Sequence, residues 1–324
     1  MPQAHPEELS HEESVQFLRQ LPEFGDPMPH LILTGGDPLA RADLFELIAE
    51  ARRLGIGLSI TPAASHRLSR EVLERLRDAG VEGLGLSLDG STPALHDGIR
   101  GVPGTFDLTL RAMDWARELA MPVQVNTLAS RETAADLPAV YELLRPYGIA
   151  RWSLFFLIST GRGKVLDPLS AEEAEKLMAW IHETSHHAPF TVATTEAPSY
   201  RRVVLERMKA DGLHGTDIKS ASAYRGFGIR DGHGIVFVSN TGDICPAGFL
   251  PVAAGNVRRD RLAFVYRESK LFRALHDPSQ FDGRCGVCEY RALCGGSRAR
   301  AFSETGDPLA SDPLCEHQPK ASRG

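Results

Sequence analysis

Short apolar runs alternate with amphipathic segments over the first half of the chain. Runs rich in aliphatic and β-branched residues predict strands at 30–34, 56–61, 83–88, 122–127 and 151–156. Between them, apolar residues recur every three or four positions, which predicts helices at 40–54, 69–79, 105–119 and 135–147. Successive strands lie roughly 25 to 40 residues apart, as a β-α-β crossover requires. The pattern predicts an α/β fold with a parallel sheet, either an open doubly wound sheet or a barrel.

Polar and glycine-rich residues follow each of these predicted strands. They occupy 34–38, 61–62, 87–90, 126–127 and 159–161. In barrel-like β/α proteins the carboxyl ends of the strands form the rim of the active site. Helix caps and turns use the same residue types, and Asp37 is also a candidate N-cap. Because the feature recurs at every strand end, the sequence favours one shared site at this edge.

The periodicity weakens after residue 190. Residues 191–230 are predicted to form a connector with one helix near 200–209. A hairpin is predicted over 234–245 with Asn240, Thr241 and Gly242 in its turn, followed by a helix at 262–275. The predicted regions are therefore a core at 1–190, a connector at 191–230 and a small cysteine-rich α+β domain at 231–324.

Composition narrows the class of protein. The 324 residues are 42% hydrophobic and 24% charged, with a formal net charge of −6. This balance is typical of a globular protein and gives no basic footprint, so no nucleic-acid partner is expected. The polar N-terminus is unlike a secretory signal, and no apolar stretch is long enough to cross a bilayer. We expect a cytoplasmic protein without a membrane partner.

The five cysteines are unevenly placed. Cys245 is the first, and Cys285, Cys288, Cys294 and Cys315 are clustered near the C-terminus. An odd number and this clustering argue against disulfides and favour a metal site, with metal-free buried cysteines as the alternative. Four thiolates suit Zn²⁺ or an iron–sulfur cluster, and the spacing does not decide between them. Cys245 is either an additional ligand or an ordinary buried residue. Four arginines are expected to offset the negative charge of the site: Arg284, Arg291, Arg298 and Arg300.

Together these motifs resemble a known family, the radical S-adenosylmethionine (radical SAM) proteins with a C-terminal SPASM or twitch iron–sulfur domain. The resemblance rests on Gly-Gly-Asp-Pro at 35–38, Ser-Leu-Asp-Gly at 87–90, the segment 96–107 and the cysteine-rich tail at 285–315. It is strongest to the subgroup of haem and haem d1 biosynthesis. It implies a partial (β/α)6 TIM-like barrel, here with its first strand missing, and the small cysteine-rich domain.

The resemblance also implies where S-adenosylmethionine binds. The carbonyls of Gly35 and Gly36 and the carboxylate of Asp37 would accept hydrogen bonds from its ammonium group. Candidates for its carboxylate and ribose hydroxyls are Ser87, Arg100 and Asn126. A solvated helix face is the alternative for Arg100 and His96.

The implied activity is radical chemistry. A reduced catalytic [4Fe–4S] cluster would generate a 5′-deoxyadenosyl radical from S-adenosylmethionine, and the radical would abstract a hydrogen from a tetrapyrrole carrying propionates or from a peptide. An auxiliary [4Fe–4S] cluster on the four clustered cysteines would bind substrate or carry an electron. A flavodoxin or ferredoxin would be the electron donor.

Two departures from the family qualify this expectation. The Cys-x3-Cys-x2-Cys motif of the catalytic cluster is absent, so we expect that motif to precede residue 1 in the native protein. Ser10 and Glu13 would then form a capping box on the next helix. The alternative is a degenerate, non-catalytic binding protein with one iron–sulfur or zinc site. Ser297 and Arg298 are not cysteines, so one auxiliary cluster is implied rather than two.

Overall fold

Residues 5–220 and 226–320 are described by the computed structural model, and they form an α/β fold followed by a smaller α+β region. The strands are β1 (Leu31–Leu33), β2 (Leu58–Ile60), β3 (Gly83–Ser87), β4 (Val123–Ala129), β5 (Arg151–Phe156), β6 (Thr191–Thr195), β7 (Phe237–Val238), β8 (Asp243–Cys245) and β9 (Gly255–Asn256). The α-helices are α1 (His11–Leu18), α2 (Leu44–Arg53), α3 (Arg70–Asp78), α4 (Pro93–Arg100), α5 (Thr105–Glu118), α6 (Leu137–Leu144), α7 (Ala171–Ser185), α8 (Tyr200–Ala210), α9 (Thr216–Ser220), α10 (Leu262–Glu268), α11 (Lys270–His276), α12 (Gly283–Val287) and α13 (Arg298–Thr305).

The first six strands form one sheet in the order of the chain, β1 to β6. The pairs β1–β2, β2–β3 and β3–β4 are parallel, with Ile32 opposite Ser59, Ser59 opposite Gly83 and Ser87 opposite Asn126. In the crossovers, α2 packs on β2 and α5 packs on β3. The predicted α/β class and the sheet of the partial barrel are confirmed. That a further strand precedes β1 stays a prediction.

Local sequence explains most element boundaries. The five predicted strands correspond to β1–β5, and the four helices predicted between them correspond to α2, α3, α5 and α6. The helix predicted near 200–209 is α8. At α1, the Ser10 hydroxyl accepts the Glu13 N–H (3.2 Å), and the Glu13 carboxylate accepts the Ser10 N–H (2.9 Å). The predicted capping box is therefore present.

Two segments differ from the prediction. β6 lies in the predicted connector, where only one of its five residues is buried, so no apolar alternation marks it. The strand is defined instead by its pairing, which begins where the Thr191 N–H donates to the Ala150 carbonyl (3.1 Å). The helix predicted at 262–275 is divided into α10 and α11, because Ser269 is extended (φ −64°, ψ 147°) and caps the Phe272 N–H.

The predicted hairpin is formed by β7 and β8. They are antiparallel, with Phe237 opposite Cys245. Gly242 has φ +88° in the turn, a conformation that glycine adopts without steric cost, and its N–H donates to the Ser239 carbonyl (2.9 Å). β9 pairs with β8 and completes a three-stranded sheet.

The chain divides into two compact units. The first comprises the chain up to Leu128, Thr133–Leu154 and Ala188–Ala193, and the second comprises Ala129–Glu132, Phe155–His187 and the chain from Thr194 onward. The second unit has an apolar core of Ile158, Ala247, Leu250, Leu275 and Ala299. The boundaries of the predicted core, connector and cysteine-rich domain, at 190 and 230, stay predictions. Within 5–220 and 226–320, no helix has the length and apolar character to span a membrane.

Candidate functional site

The loop after β1 presents two glycines to solvent. Gly35 has φ +129°, a conformation that other residues rarely adopt, and Gly36 follows it. Both are exposed, and a Cβ built on either residue would contact nothing within 4 Å. The backbone of Gly35 and Gly36 is therefore open to close approach by a ligand.

Asp37 ties this loop to the loop after β2. Its Oδ1 accepts the N–H groups of Leu39 (3.2 Å) and Ala63 (3.4 Å), and its Oδ2 accepts the Ser65 hydroxyl (3.1 Å). The carboxylate therefore caps the short helical turn Pro38–Ala40, as its capping interpretation predicts. A role for Asp37 in cofactor binding is compatible with this and stays a prediction.

One face of β3 and β4 carries polar side chains. Ser87 on β3 and Gln124 and Asn126 on β4 point to this face because side chains alternate along a strand, and Gly83 and Gly85 leave the rest of β3 there without side chains. The register places Gly85 opposite Gln124 and Ser87 opposite Asn126. The Gln124 amide donates to Asn126 Oδ1 (2.8 Å) and orients it. The structure thus brings Ser87 and Asn126 together. Sequence analysis missed Gln124, although its position two residues before Asn126 was a usable signal.

Asp89 anchors the segment that follows β3. It is 3% exposed, its Oδ2 pairs with Arg100 Nε (2.6 Å), and its Oδ1 accepts the Leu128 N–H (2.8 Å). A Cβ on Gly90 would lie 2.7 Å from Leu95 Cγ, so this close backbone approach requires glycine. Arg100 is therefore not only a solvated helix residue, because it neutralises a buried carboxylate. Its contact with a cofactor stays a prediction.

His96 is buried beside Asp89 and is predicted to make stability depend on pH. It is 1% exposed, and its Nδ1 accepts the Asp89 N–H (2.9 Å). Burial lowers the pKa of His96 below its ordinary value, despite the opposing charges of Asp89 and Asp97. The unfolded chain binds a proton below pH ~6.5 that folded His96 does not bind, so stability is lost as pH falls through that value.

We expect the free energy of unfolding to fall by about 1 kcal/mol more in the wild type than in His96→Asn between pH 7 and pH 5.5. Asparagine does not titrate, and its Oδ1 can accept the same N–H. Urea denaturation at both pH values measures the difference. Equal pH dependence in the two proteins would show that His96 is not the titrating group.

The four clustered cysteines lie in one cavity of the second unit. α12 carries Cys285, and the others follow in the succeeding loops. The cavity is lined by Cys285, Cys288, Cys294, Cys315, Arg202, Arg284, Tyr290, Arg291, Gly295, Gly296, Asp312, His317 and Pro319. All five cysteines of the chain are free thiols.

Backbone N–H groups point at all four sulfurs. The donors are Tyr290 to Cys288 Sγ (3.4 Å), Gly296 to Cys294 Sγ (3.3 Å), Asp312 to Cys285 Sγ (3.5 Å) and His317 to Cys315. Gly296 has φ +70°, and a Cβ on it would lie 3.2 Å from Cys285 Sγ. Hydrogen bonds to sulfur favour the thiolate form. The backbone is therefore arranged around the sulfurs as a metal–thiolate site requires.

Three of the four predicted arginines lie at the cavity: Arg284 and Arg291 line it, and Arg298 contacts a sulfur. Arg298 is fully buried, and its Nη2 lies 3.6 Å from Cys285 Sγ. Arg300 differs from the prediction, because its guanidinium faces Asp312 (3.4 Å) and two backbone carbonyls instead of a sulfur. Its position on α13, two residues after Arg298, turns it to another side of the helix.

Arg202 on α8 is a further cation of the cavity that sequence analysis missed. It is 3% exposed and forms ion pairs with Glu206 (2.7 Å) and with Glu175, whose Oε1 lies 2.9 Å from Nη1. It lies far from the cysteines in sequence, so no motif marks it. Only the packing of α8 brings it to the sulfurs.

Burial opposes ionisation of three of the four thiols. Burial raises the pKa of Cys294 to about 12 and that of Cys315 to about 11, and it raises the pKa of Cys288. Metal binding displaces such protons, because the thiolate is the ligand. Four thiols, amide donors and a buried guanidinium are a donor set that fits a [4Fe–4S] cluster. Four thiols are also a zinc donor set by ligand type, but among the described residues no three of these sulfurs lie within 4.8 Å of one another.

Cys245 is separate from this cavity. It lies on β8, is 5% exposed, and burial raises its pKa to about 11. It does not line the cavity of the other four cysteines. The structure therefore favours the interpretation of Cys245 as a buried residue of the second unit.

Comparisons with known proteins agree with these features. The profile of the radical SAM superfamily matches residues 2–144. An AdoMet-dependent heme synthase of Oleidesulfovibrio alaskensis is 36% identical over 318 residues, covering 98% of this chain and 81% of the relative. Another, from Methanosarcina barkeri, is 34% identical and covers 96% and 88%.

Solved structures support the fold. Streptococcus suis SuiB bound to S-adenosylmethionine matches with a TM-score of 0.72 at 17% identity, covering 98% of this chain and 71% of SuiB. SuiB bound to its precursor peptide SuiA matches with a TM-score of 0.73, also at 17% identity, covering 98% and 70%. The alternative of a degenerate, non-catalytic binding protein gains no support, because the curated relatives are named as synthases. The family uses S-adenosylmethionine and [4Fe–4S] clusters, and this chain belongs to the radical SAM superfamily of enzymes.

Proposed function

We propose that this radical SAM enzyme modifies a tetrapyrrole carrying propionate groups and holds one auxiliary [4Fe–4S] cluster on Cys285, Cys288, Cys294 and Cys315. The observation that carries the cluster assignment is the single cavity that these thiols line together with amide and guanidinium donors. The substrate class is supported by the 36% identity to a heme synthase over nearly the whole chain.

In this proposal the loop after β1 binds S-adenosylmethionine. The open carbonyls of Gly35 and Gly36 accept from its ammonium group, and the carboxylate of Asp37 adds charge. Because Asp37 is held by two backbone N–H groups and a hydroxyl, it is oriented before the cofactor arrives. With a reduced catalytic cluster, the bound cofactor would supply a 5′-deoxyadenosyl radical for hydrogen abstraction.

The polar face of β3 and β4 would bind the remainder of the cofactor. Ser87 and Asn126 lie side by side there, and Gln124 orients the amide of Asn126 so that its Nδ2 is a donor. Arg100 would act mainly by holding Asp89 and the loop after β3.

At the cysteine cavity, the protein's own groups would stabilise a negatively charged cluster. Four backbone amides and the Arg298 guanidinium donate toward sulfur, and Arg284 and Arg291 add positive charge at the lining. Arg284 and Arg291 can also attract a substrate carboxylate. An exogenous flavodoxin or ferredoxin would supply the electron.

The substrate assignment is tested with the native protein under anaerobic conditions. Its intact mass and N-terminal peptide first establish whether a Cys-x3-Cys-x2-Cys segment precedes residue 1. The protein is then reduced with dithionite and incubated with S-adenosylmethionine and either an iron porphyrin bearing propionates or a peptide. We expect 5′-deoxyadenosine and a porphyrin of altered mass. Modification of the peptide alone would favour the second substrate class, and no 5′-deoxyadenosine under any condition would contradict radical chemistry.

A further inference from the structure

Glu196 has an unusual backbone conformation directly after β6. Its φ is +58°, in the left-handed region that residues with a Cβ disfavour. Such conformations persist where the surrounding structure holds them, and they are concentrated at functional sites. No motif in the sequence marks this residue, so its surroundings indicate its role.

Glu196 contacts a second carboxyl group and a hydroxyl. The Ser297 hydroxyl donates to Glu196 Oε2 (2.7 Å), and Asp231 is its hydrogen-bonding carboxyl neighbour. Asp231 is 4% exposed, and its Oδ2 accepts the N–H groups of Arg298 (2.8 Å) and Ala299 (2.9 Å). Because Asp231 already accepts two amides, Glu196 is the member of the pair that carries the proton.

The surrounding charges agree with this assignment. Burial and the neighbouring Asp231 raise the pKa of Glu196 well above its ordinary value, while Ser297 and Arg300 oppose the shift. The Arg300 guanidinium also lies 3.4 Å from the buried carboxylate of Asp312. Its positive charge therefore lowers the pKa of Glu196 less than it would alone. Two carboxyl groups with one proton between them are a common way to hold an exchangeable proton inside a protein.

The chain connects this proton to the cysteine cavity over a short distance. Ser297 lies three residues after Cys294, at most about 12 Å along the backbone. Between them, the Gly296 N–H donates to Cys294 Sγ (3.3 Å), and the Ser297 N–H donates to Asp312, whose own N–H lies 3.5 Å from Cys285 Sγ. A charge at the sulfurs and a charge at Glu196 therefore lie at the two ends of the same short segment. Little solvent screens the interaction between them in this region.

We propose that Glu196, where it is ionised beside the oxidised auxiliary cluster, takes up a proton when the cluster gains an electron, and so tunes the cluster's reduction potential without contacting it. This inference rests on the proposed auxiliary cluster. One electron comes from a one-electron reductant such as dithionite. One proton comes from solvent and converts the Glu196 carboxylate into the acid, so the pair of changes leaves the net charge of the region unchanged.

The test is a redox titration of the reconstituted full-length protein, followed by electron paramagnetic resonance between pH 6 and pH 10. In the wild type, the midpoint potential is expected to be pH-independent while Glu196 is protonated in both redox states, and to become pH-dependent once rising pH ionises Glu196 beside the oxidised cluster. At most, the equilibrium constant for reduction changes tenfold per pH unit. This change shifts the midpoint potential by about 59 mV for a one-electron couple.

Glu196→Gln is the informative variant, because its amide mimics the protonated acid toward both Ser297 and Asp231. We expect it to keep the wild-type potential at pH 6 and to lose the pH dependence. Glu304→Gln, on the exposed side of α13, is the matched control and should retain the wild-type profile.

The outcomes separate this inference from the proposed function. A normal cluster with a pH-independent potential in the wild type, or an unchanged slope in Glu196→Gln, overturns the role of Glu196 alone. Failure of the wild type to bind iron overturns the auxiliary cluster itself and this inference with it.

Discussion

Cys288→Ser is expected to remove the auxiliary cluster, about four iron atoms per chain, and to destabilise the second unit strongly. Cys288 lies in the cavity with three other thiols, and its sulfur accepts the Tyr290 N–H. A serine hydroxyl is not a soft thiolate ligand. Because metal binding is part of the folding free energy of such a site, we expect a loss of at least about 5 kcal/mol and a Tm lower by more than about 10 °C. Elemental analysis and calorimetry of anaerobically prepared protein measure both quantities.

Cys245→Ser is the matched control. It replaces a buried cysteine of the same unit that does not line the cavity, so it should retain the iron. Iron content unchanged in Cys288→Ser, or lost equally in both variants, would contradict the ligand set. A colourless wild type with one equivalent of zinc at the four cysteines would replace the iron–sulfur assignment with a structural zinc site.

Gly36→Val should weaken S-adenosylmethionine binding by at least about 100-fold, roughly 2.7 kcal/mol, while leaving Tm almost unchanged. A Cβ at Gly36 meets no atom within 4 Å, so the fold has room for the new side chain. In the proposed complex the cofactor occupies that space, because its ammonium group approaches the backbone carbonyls. The valine side chain would therefore overlap with the cofactor. Isothermal titration calorimetry of the anaerobic full-length protein measures the affinity.

Gly98→Val is the corresponding control. Gly98 lies on α4, where an added Cβ also meets nothing within 4 Å, and neither residue has a positive φ. The two variants thus make the same chemical change in open space at different places in the first unit. Equal affinity of Gly36→Val and wild type would place the cofactor elsewhere, and equal weakening in both would point to a general effect on folding.

Local patterns in the sequence were sufficient for most of the fold. The alternation of aliphatic runs with helical periodicity predicted β1–β5 and four of the helices, because burial on one side leaves a period of two or 3.6 in the sequence. Ser10 and Glu13 predicted their capping box because its hydrogen bonds join residues three positions apart. β6 escaped prediction because most of its residues remain partly exposed, and its pairing with a distant part of the chain makes it a strand.

For the candidate site, the sequence by itself determined the chemistry that is available. It specified two glycines and an aspartate after the first strand and four thiols in a C-terminal cluster, since these depend on residue type and spacing alone. The tertiary structure decided which groups meet. Arg202 reaches the sulfurs from α8, and Glu196 meets Ser297 across more than a hundred residues of chain. Such contacts leave no periodic signal, because they arise from the packing of whole elements and not from neighbouring residues along the chain.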